Sequence, residues 1–357
     1  MPKISHFPSR TKARNFTRTN LFFVIFLIVM IAFLVLSFFL AVGLGTVNIS
    51  FSDTYKVIIG KIFNVPNLYD GIRKSTISII WDYRLPRVIL GILAGAGLAL
   101  CGAVMQSTVN NPIAEPYILG VSSGATFGAT LTIAFGLSTV VSLGSFLGAI
   151  IATFLVMGIA SHKGKMTATR LILSGTVVNA LFTAFSNFII SVFASSDSIS
   201  DIKFWTMGSL TGASYKGLIL PAIVVVLACL FFLTQGRTMN TMMLGDEAAV
   251  SLGVNLSVYR IIYMCIVALL TGVLVSCCGI IGFVGLIIPH IVRGIVGTNH
   301  KKVIPLSIVI GALFLTWADV LARTLVSGSE LPIGIFTALV GAPFFIYIVV
   351  KKNYAKE

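Results

Sequence analysis

Blocks of about 20 nearly uninterrupted apolar positions alternate along this chain with short polar stretches. That pattern predicts membrane-crossing α-helices, because about 20 residues in helix cover about 30 Å of hydrocarbon. The first block is 21–42. A polar region at 43–82 follows, the longest hydrophilic segment of the chain, and the remaining blocks come quickly: 86–106, 117–135, 139–160, 170–193, 217–235, 261–278, 280–297, 303–323 and 332–350. The seventh and eighth are poorly separated, since the apolar run 261–296 is interrupted only by Gly279, Gly282, Gly285 and Pro289. The expected fold is all-α, a polytopic membrane protein with about ten transmembrane helices. It forms a single transmembrane domain, 21–350, between a basic tail at 1–20 and a short tail at 351–357. Two hydrophilic segments are set into it, an outer loop at 43–85 and an inner loop at 236–260. Block 21–42 is too long for the core of a signal peptide and has no small-residue cleavage site, so it reads as an uncleaved first span.

Composition narrows the class. Hydrophobic residues make up 57% of the chain and charged residues only 10%, with a mean hydropathy of +1.02, far from an ordinary soluble domain. The formal charge of +14 would suit a nucleic-acid partner if it lay on one soluble face. Here Lys and Arg fall between apolar blocks, so the charge describes orientation in the bilayer and no nucleic acid is predicted. An even number of spans puts both termini on one side. Placing them inside leaves sixteen of the 25 basic residues in or beside inner loops, which predicts cytoplasmic termini, a multi-pass protein of the cell membrane, and a cytoplasmic 236–260 loop.

Chemistry is sparse. The five cysteines all lie in apolar blocks without C-x-x-C spacing, and the four histidines are scattered, so neither metal nor cofactor is predicted. No G-x-x-x-x-G-K-[ST] phosphate loop occurs, nor any nucleophile or metal motif. The chain is therefore not expected to be an enzyme, and active transport would need energy from a partner. Of the eleven acids only Asp319 falls within a span, which counts against an ion-coupled carrier acting alone.

In the 236–260 loop, Asp246 can cap a short helix beginning at Glu247 and Ala248, and Gly253 can close it. Ala249, Val250 and Leu252 give that helix an apolar face, for the membrane surface or for a soluble partner. On the outer side Arg84 and Arg87 flank Leu85 and Pro86 where the second span begins, and Arg323 ends the ninth. These arginines either pair locally, with Asp82 and Asp319, or wait for an acidic partner. Gly91 and Gly95, four residues apart, allow close helix approach. Asn111, Pro112 and Glu115 in NNPIAEPY (110–117) form a rigid turn or a gate, and His290 follows Pro289 at an expected kink.

Several segments together resemble the permease subunits of bacterial ABC importers for iron–siderophore complexes, haem and cobalamin, the FecCD and cobalamin-permease type. They are DYRLPR (82–87), GAVMQSTVNNPIAEPYILGVSSGA (102–125), WTMGSL (205–210), LGDEAAVSLGV (244–254), GFVGLIIPHIVR (282–293), ADVLART (318–324) and ELPIGIFTALVGAPFF (330–345). The resemblance implies two permease subunits, identical or not, side by side in the lipid bilayer, with two cytoplasmic ATP-binding-cassette ATPase subunits and an extracytoplasmic binding protein. By position it assigns Leu244, Gly245, Asp246, Glu247, Ala248, Ala249, Leu252 and Gly253 to coupling with the ATPase. It assigns Arg84, Arg87 and Arg323 to docking of the binding protein. The implied cargo is an iron–siderophore complex, with haem or cobalamin as alternatives; the competing reading from another class is a stand-alone secondary carrier. Asn111, Pro112, Glu115, Pro289 and His290 are the candidates for gate or pathway.

Overall fold

A computed structural model of the chain describes residues 10–162, 166–245, 251, 256–326 and 330–354. Every predicted apolar block is a helix. In chain order they are α1 (Arg10–Gly43), α4 (Leu85–Thr108), α5 (Val121–Ala134), α6 (Val141–Ser161), α7 (Ala168–Phe193), α9 (Tyr215–Thr234), α11 (Leu256–Cys278), α12 (Val284–Val296), α13 (His300–Thr324) and α14 (Ile333–Tyr354). Shorter helices connect them: α2 (Phe51–Ile62), α3 (Lys74–Ser78), α8 (Ser196–Thr206) and α10 (Gly236–Met242). Among the described residues, seven helical stretches are long and apolar enough to cross a membrane, and Val284–Val296 and Ile333–Tyr347 are shorter apolar ones.

The region expected as an outer loop, 43–85, is largely helical. Ser50 caps α2 by accepting the Ser52 N–H, with Asp53 in the first turn. α3 then runs through a widened turn at Ile79–Arg84 directly into α4, and Pro86 follows that widened turn.

α4 is the central element, packed by α9, α11, α12 and α13. Its small residues make that possible. A Cβ on Gly95 would overlap the Gly311 carbonyl of α13, and one on Gly102 would overlap the Gly285 carbonyl of α12. The Gly124 and Gly128 positions of α5 meet Gly148 and Gly144 of α6 in the same way.

Two spans, α5 with 14 residues and α12, are too short for regular crossing helices. α12 has 13 residues, about 20 Å at helical rise, and the missing length is the non-helical stretch 279–283 that precedes it. Non-helical backbone at membrane depth must be satisfied by protein. Here Ser209 donates its N–H to the Cys278 carbonyl at 2.8 Å, while the Tyr117 hydroxyl donates to the Ile281 carbonyl at 2.9 Å and accepts its N–H at 3.2 Å.

Candidate functional site

At the end of the bundle where α1 finishes and α4 begins, Arg84, Arg87, Arg323 and Glu330 line one open cavity of about 470 Å³, with Thr46, Val47, Tyr83 and Thr211 among its walls. The three arginines are not equivalent. Arg84 is buried and donates through Nη1 to the carbonyls of Val42 (3.2 Å) and Gly43 (2.7 Å), and through Nη2 to that of Val47. It stitches the end of α1, whose last carbonyls have no helical partner, onto α4. Arg323 is also buried and donates to the Ala41 carbonyl at 2.7 Å. Arg87 reaches furthest toward solvent. Its Nε meets Asp319 Oδ1 at 2.9 Å and its Nη1 meets the half-exposed Glu330 Oε2 at 2.7 Å.

Of the local pairings weighed for these arginines, that of Asp319 with Arg323 is present, at 3.5 Å. This is an ion pair and not a hydrogen bond. Asp82 instead accepts the Ser78 hydroxyl at 2.8 Å. Asp319, the lone acid expected within a span, is thus clamped between two arginines near a helix end.

At the opposite end lies the 236–260 segment. Leu244 is exposed, and Gly245 takes a left-handed φ of +91° that other residues rarely adopt. Asp246, Glu247, Ala248, Ala249, Leu252 and Gly253 lie outside the described residues.

The 110–119 elbow between α4 and α5 is a tight structure. The Asn111 side chain accepts the Ile113 N–H at 3.0 Å, its own N–H reaches the Gln106 carbonyl at 3.0 Å, and Asn110 has φ 49°. Pro112 is exposed on the elbow. Glu115 lies beside the start of α12. Burial pushes its carboxyl up to about 6, opposed by the N–H of Phe283, the left-handed residue (φ 68°) that opens that helix. Pro289 is buried in α12 and His290 follows it half-buried, about 10 Å of helix beyond Phe283. The elbow residues and the Pro289–His290 pair are therefore joined through one helix without forming one cluster.

A polar groove of about 520 Å³ opens between α5, α7 and α8. Its walls include Ser122, Ser123 and Thr126 of α5, Asn179, Thr183, Ser186 and Asn187 of α7, and Lys203 and Thr206 of α8. Ser123 donates to Asn179 at 2.7 Å and holds the two walls together. Thr183 and Asn187 are exposed in the middle of an apolar helix, where contact with lipid would leave amide and hydroxyl groups unsatisfied. These residues went unnoticed in the sequence because α7 passes as an apolar block. The signal was present in the spacing of 179, 183, 186 and 187, one helical face.

A bundle of long apolar helices around a small-residue central helix, with a polar groove between spans, defines a multi-pass membrane protein of the transporter class. The profile of the FecCD transport family matches residues 21–351, and the chain belongs to that family as a permease of ABC importers. It is 40% identical over 336 residues to the iron(3+)-hydroxamate import system permease protein FhuB of Bacillus subtilis, covering 92% of this chain and 84% of that one. It is also 40% identical over 283 residues to the cobalamin import system permease protein BtuC of Halobacterium salinarum (78% and 75% covered). With the hemin transport system permease protein HmuU of Yersinia pestis it shares 34% identity over 282 residues (77% and 84% covered). Among solved structures, an inward-facing conformation of a transporter of metal-chelate ABC type superposes with a TM-score of 0.79 at 31% identity, covering 91% of this chain and 99% of that one.

Proposed function

We propose that this chain moves an iron–siderophore complex across the cell membrane into the cytoplasm, as one of a pair of permease subunits, with both termini cytoplasmic. The polar groove carries this reading. Hydroxyls and amides on α5 and α7 suit an oxygen-rich chelate better than the flat apolar face of haem, and weak uncharged contacts favour release. A second permease subunit covers the open side of the groove. Residues 244–254 seat in a cytoplasmic ATPase, and an acidic extracytoplasmic binding protein docks at the cavity of Arg84, Arg87 and Arg323.

The first test is uptake by a strain lacking this gene, supplied with ferric siderophores of several classes, haem or cobalamin. Loss confined to ferric siderophores is the expected result. Loss confined to haem or cobalamin keeps the importer and overturns the cargo.

Docking has a cleaner test than reversing the arginines, two of which hold α1 in place. Glu330→Gln frees Arg87 from a rim carboxylate without touching those anchors. It should tighten binding of the binding protein by up to about fivefold, the scale of an exposed ion pair, as read by surface plasmon resonance. Weaker binding in Glu330→Gln argues that the cavity is no seat for an acidic partner.

A further inference from the structure

One buried arginine holds the starting points of both walls of the groove. Arg260 lies in the first turns of α11, just beyond the segment assigned to ATPase coupling, and is 4% exposed. Its Nε donates to the carbonyl of Thr108, the last residue of α4, at 3.2 Å, and its Nη1 donates to the carbonyl of Met166 at 3.3 Å. From Thr108 the chain turns through the 110–119 elbow into α5. From Met166 it passes the cap residue Thr167 directly into α7. α5 and α7 carry most of the groove's polar lining.

The other flank of the loop is anchored differently. On α10, Met239 and Met242 are fully buried, the Asn240 side chain accepts the His300 N–H at 2.9 Å, and its amide donates to Asn299 at 3.0 Å. That side is hydrogen-bonded to the start of α13, which contributes no residue to the groove, and α10 also packs on α4. The exit of the loop, where Arg260 stands, is the flank hydrogen-bonded to the starting points of both groove walls.

The residue type fits the task. A guanidinium presents several donors in a rigid plane and can serve two carbonyls on two elements at once, which a lysine ammonium on a flexible stem does poorly. The Thr108 carbonyl belongs to the last turn of α4, where helical partners are missing and a cation is favoured. A site needing only to be filled would be occupied more cheaply by an apolar side chain.

We infer that Arg260 is the positioning residue that transmits motion of the 244–254 loop to both walls of the groove. The inference rests on the proposed seating of that loop in the ATPase. It is tested in liposomes holding the permease with its ATPase and binding protein, comparing wild type with Arg260→Met and Arg260→Lys. Two quantities are read: radioiron moved as ferric hydroxamate per ATP hydrolysed, and the effect of ATP on maleimide labelling of an Asn187→Cys reporter in the groove.

Both variants should retain the ATPase and hydrolyse ATP. Iron moved per ATP should fall in Arg260→Met on the order of 5- to 150-fold, the range of ordinary coupling between sites. Labelling should lose its response to ATP, and Arg260→Lys should fall between. An unchanged ratio and unchanged labelling response overturn the inference, as does a parallel fall of hydrolysis and uptake in Arg260→Lys, which marks a merely structural anchor. If Arg260→Met does not assemble, Arg260→Lys decides. If wild type moves no ferric hydroxamate, the cargo reading fails and the labelling arm alone decides on Arg260; if ATP leaves wild-type labelling unchanged, the inference fails with the loop's proposed role.

Discussion

Replacing Asp319 by alanine is expected to cost the folded permease about 3–5 kcal/mol, the usual penalty for removing one member of a buried ion pair. Its side chain is 3% exposed, with Arg87 at 2.9 Å and Arg323 at 3.5 Å. Without the carboxylate, Arg323 is left with the Ala41 carbonyl and Arg87 with a rim glutamate, and Arg84 stands nearby with the same sign of charge. Three guanidinium groups then share one cavity with one partly solvated counter-charge. The arginines also hold the carbonyls that end α1, so the defect should spread to the packing of α1 on α13, where Trp317 donates to Ser37 at 3.0 Å. Thermal unfolding of the purified protein in detergent should show a large fall in midpoint and in yield. Asp319→Asn keeps the shape and a hydrogen-bond acceptor while losing the charge, so it should lie between wild type and alanine. A midpoint unchanged in Asp319→Ala would mean that the cluster is held by water and not by the carboxylate.

That cluster also marks where reading the sequence stops. The ten helices were legible because the apolar block length is set by the bilayer, and tertiary context seldom overrides so strong a signal. The close approach of α4 to its neighbours was legible as well, since glycines at helical spacing have few other uses in a span. The helical content of 43–85 was not. Lys56, Lys61 and Asp53 hide the apolar face of α2, whose buried residues include Val57 and Ile58. Nor could the sequence show that Arg84 turns inward. Its partners are backbone carbonyls about 40 positions earlier, and a carbonyl leaves no trace in the residue type that bears it. Arg260 was overlooked for the same reason: it counted as one more basic residue of an inner loop, while two of its bonds go to the carbonyls of Thr108 and Met166.

A second large effect is expected at the point where α4 comes closest to another helix. Gly102 faces the backbone of Gly285, and a Cβ there would overlap the Gly285 carbonyl oxygen, carbon and Cα together. Nothing on the far side is a flexible side-chain end that could swing away, so α12 itself must shift. It is not free to do so. The Gln106 amide donates to the Gly285 carbonyl at 3.1 Å, Gln106 accepts from Arg293, and Tyr117 fixes the Ile281 backbone just ahead of the helix. Gly102→Val should therefore destabilise the protein at or above the upper end of the about 1–3 kcal/mol typical of overpacked cores. Gly158→Ala in α6 is the control, because a Cβ there meets nothing within 4 Å. Alanine also favours helix by about 1 kcal/mol over glycine in aqueous hosts, so the control should be neutral or slightly stabilised. Equal midpoints for the two variants would show that α4 and α12 can separate at little cost. In that case the Gly102 contact is a sliding surface of the transport cycle and not a fixed seam.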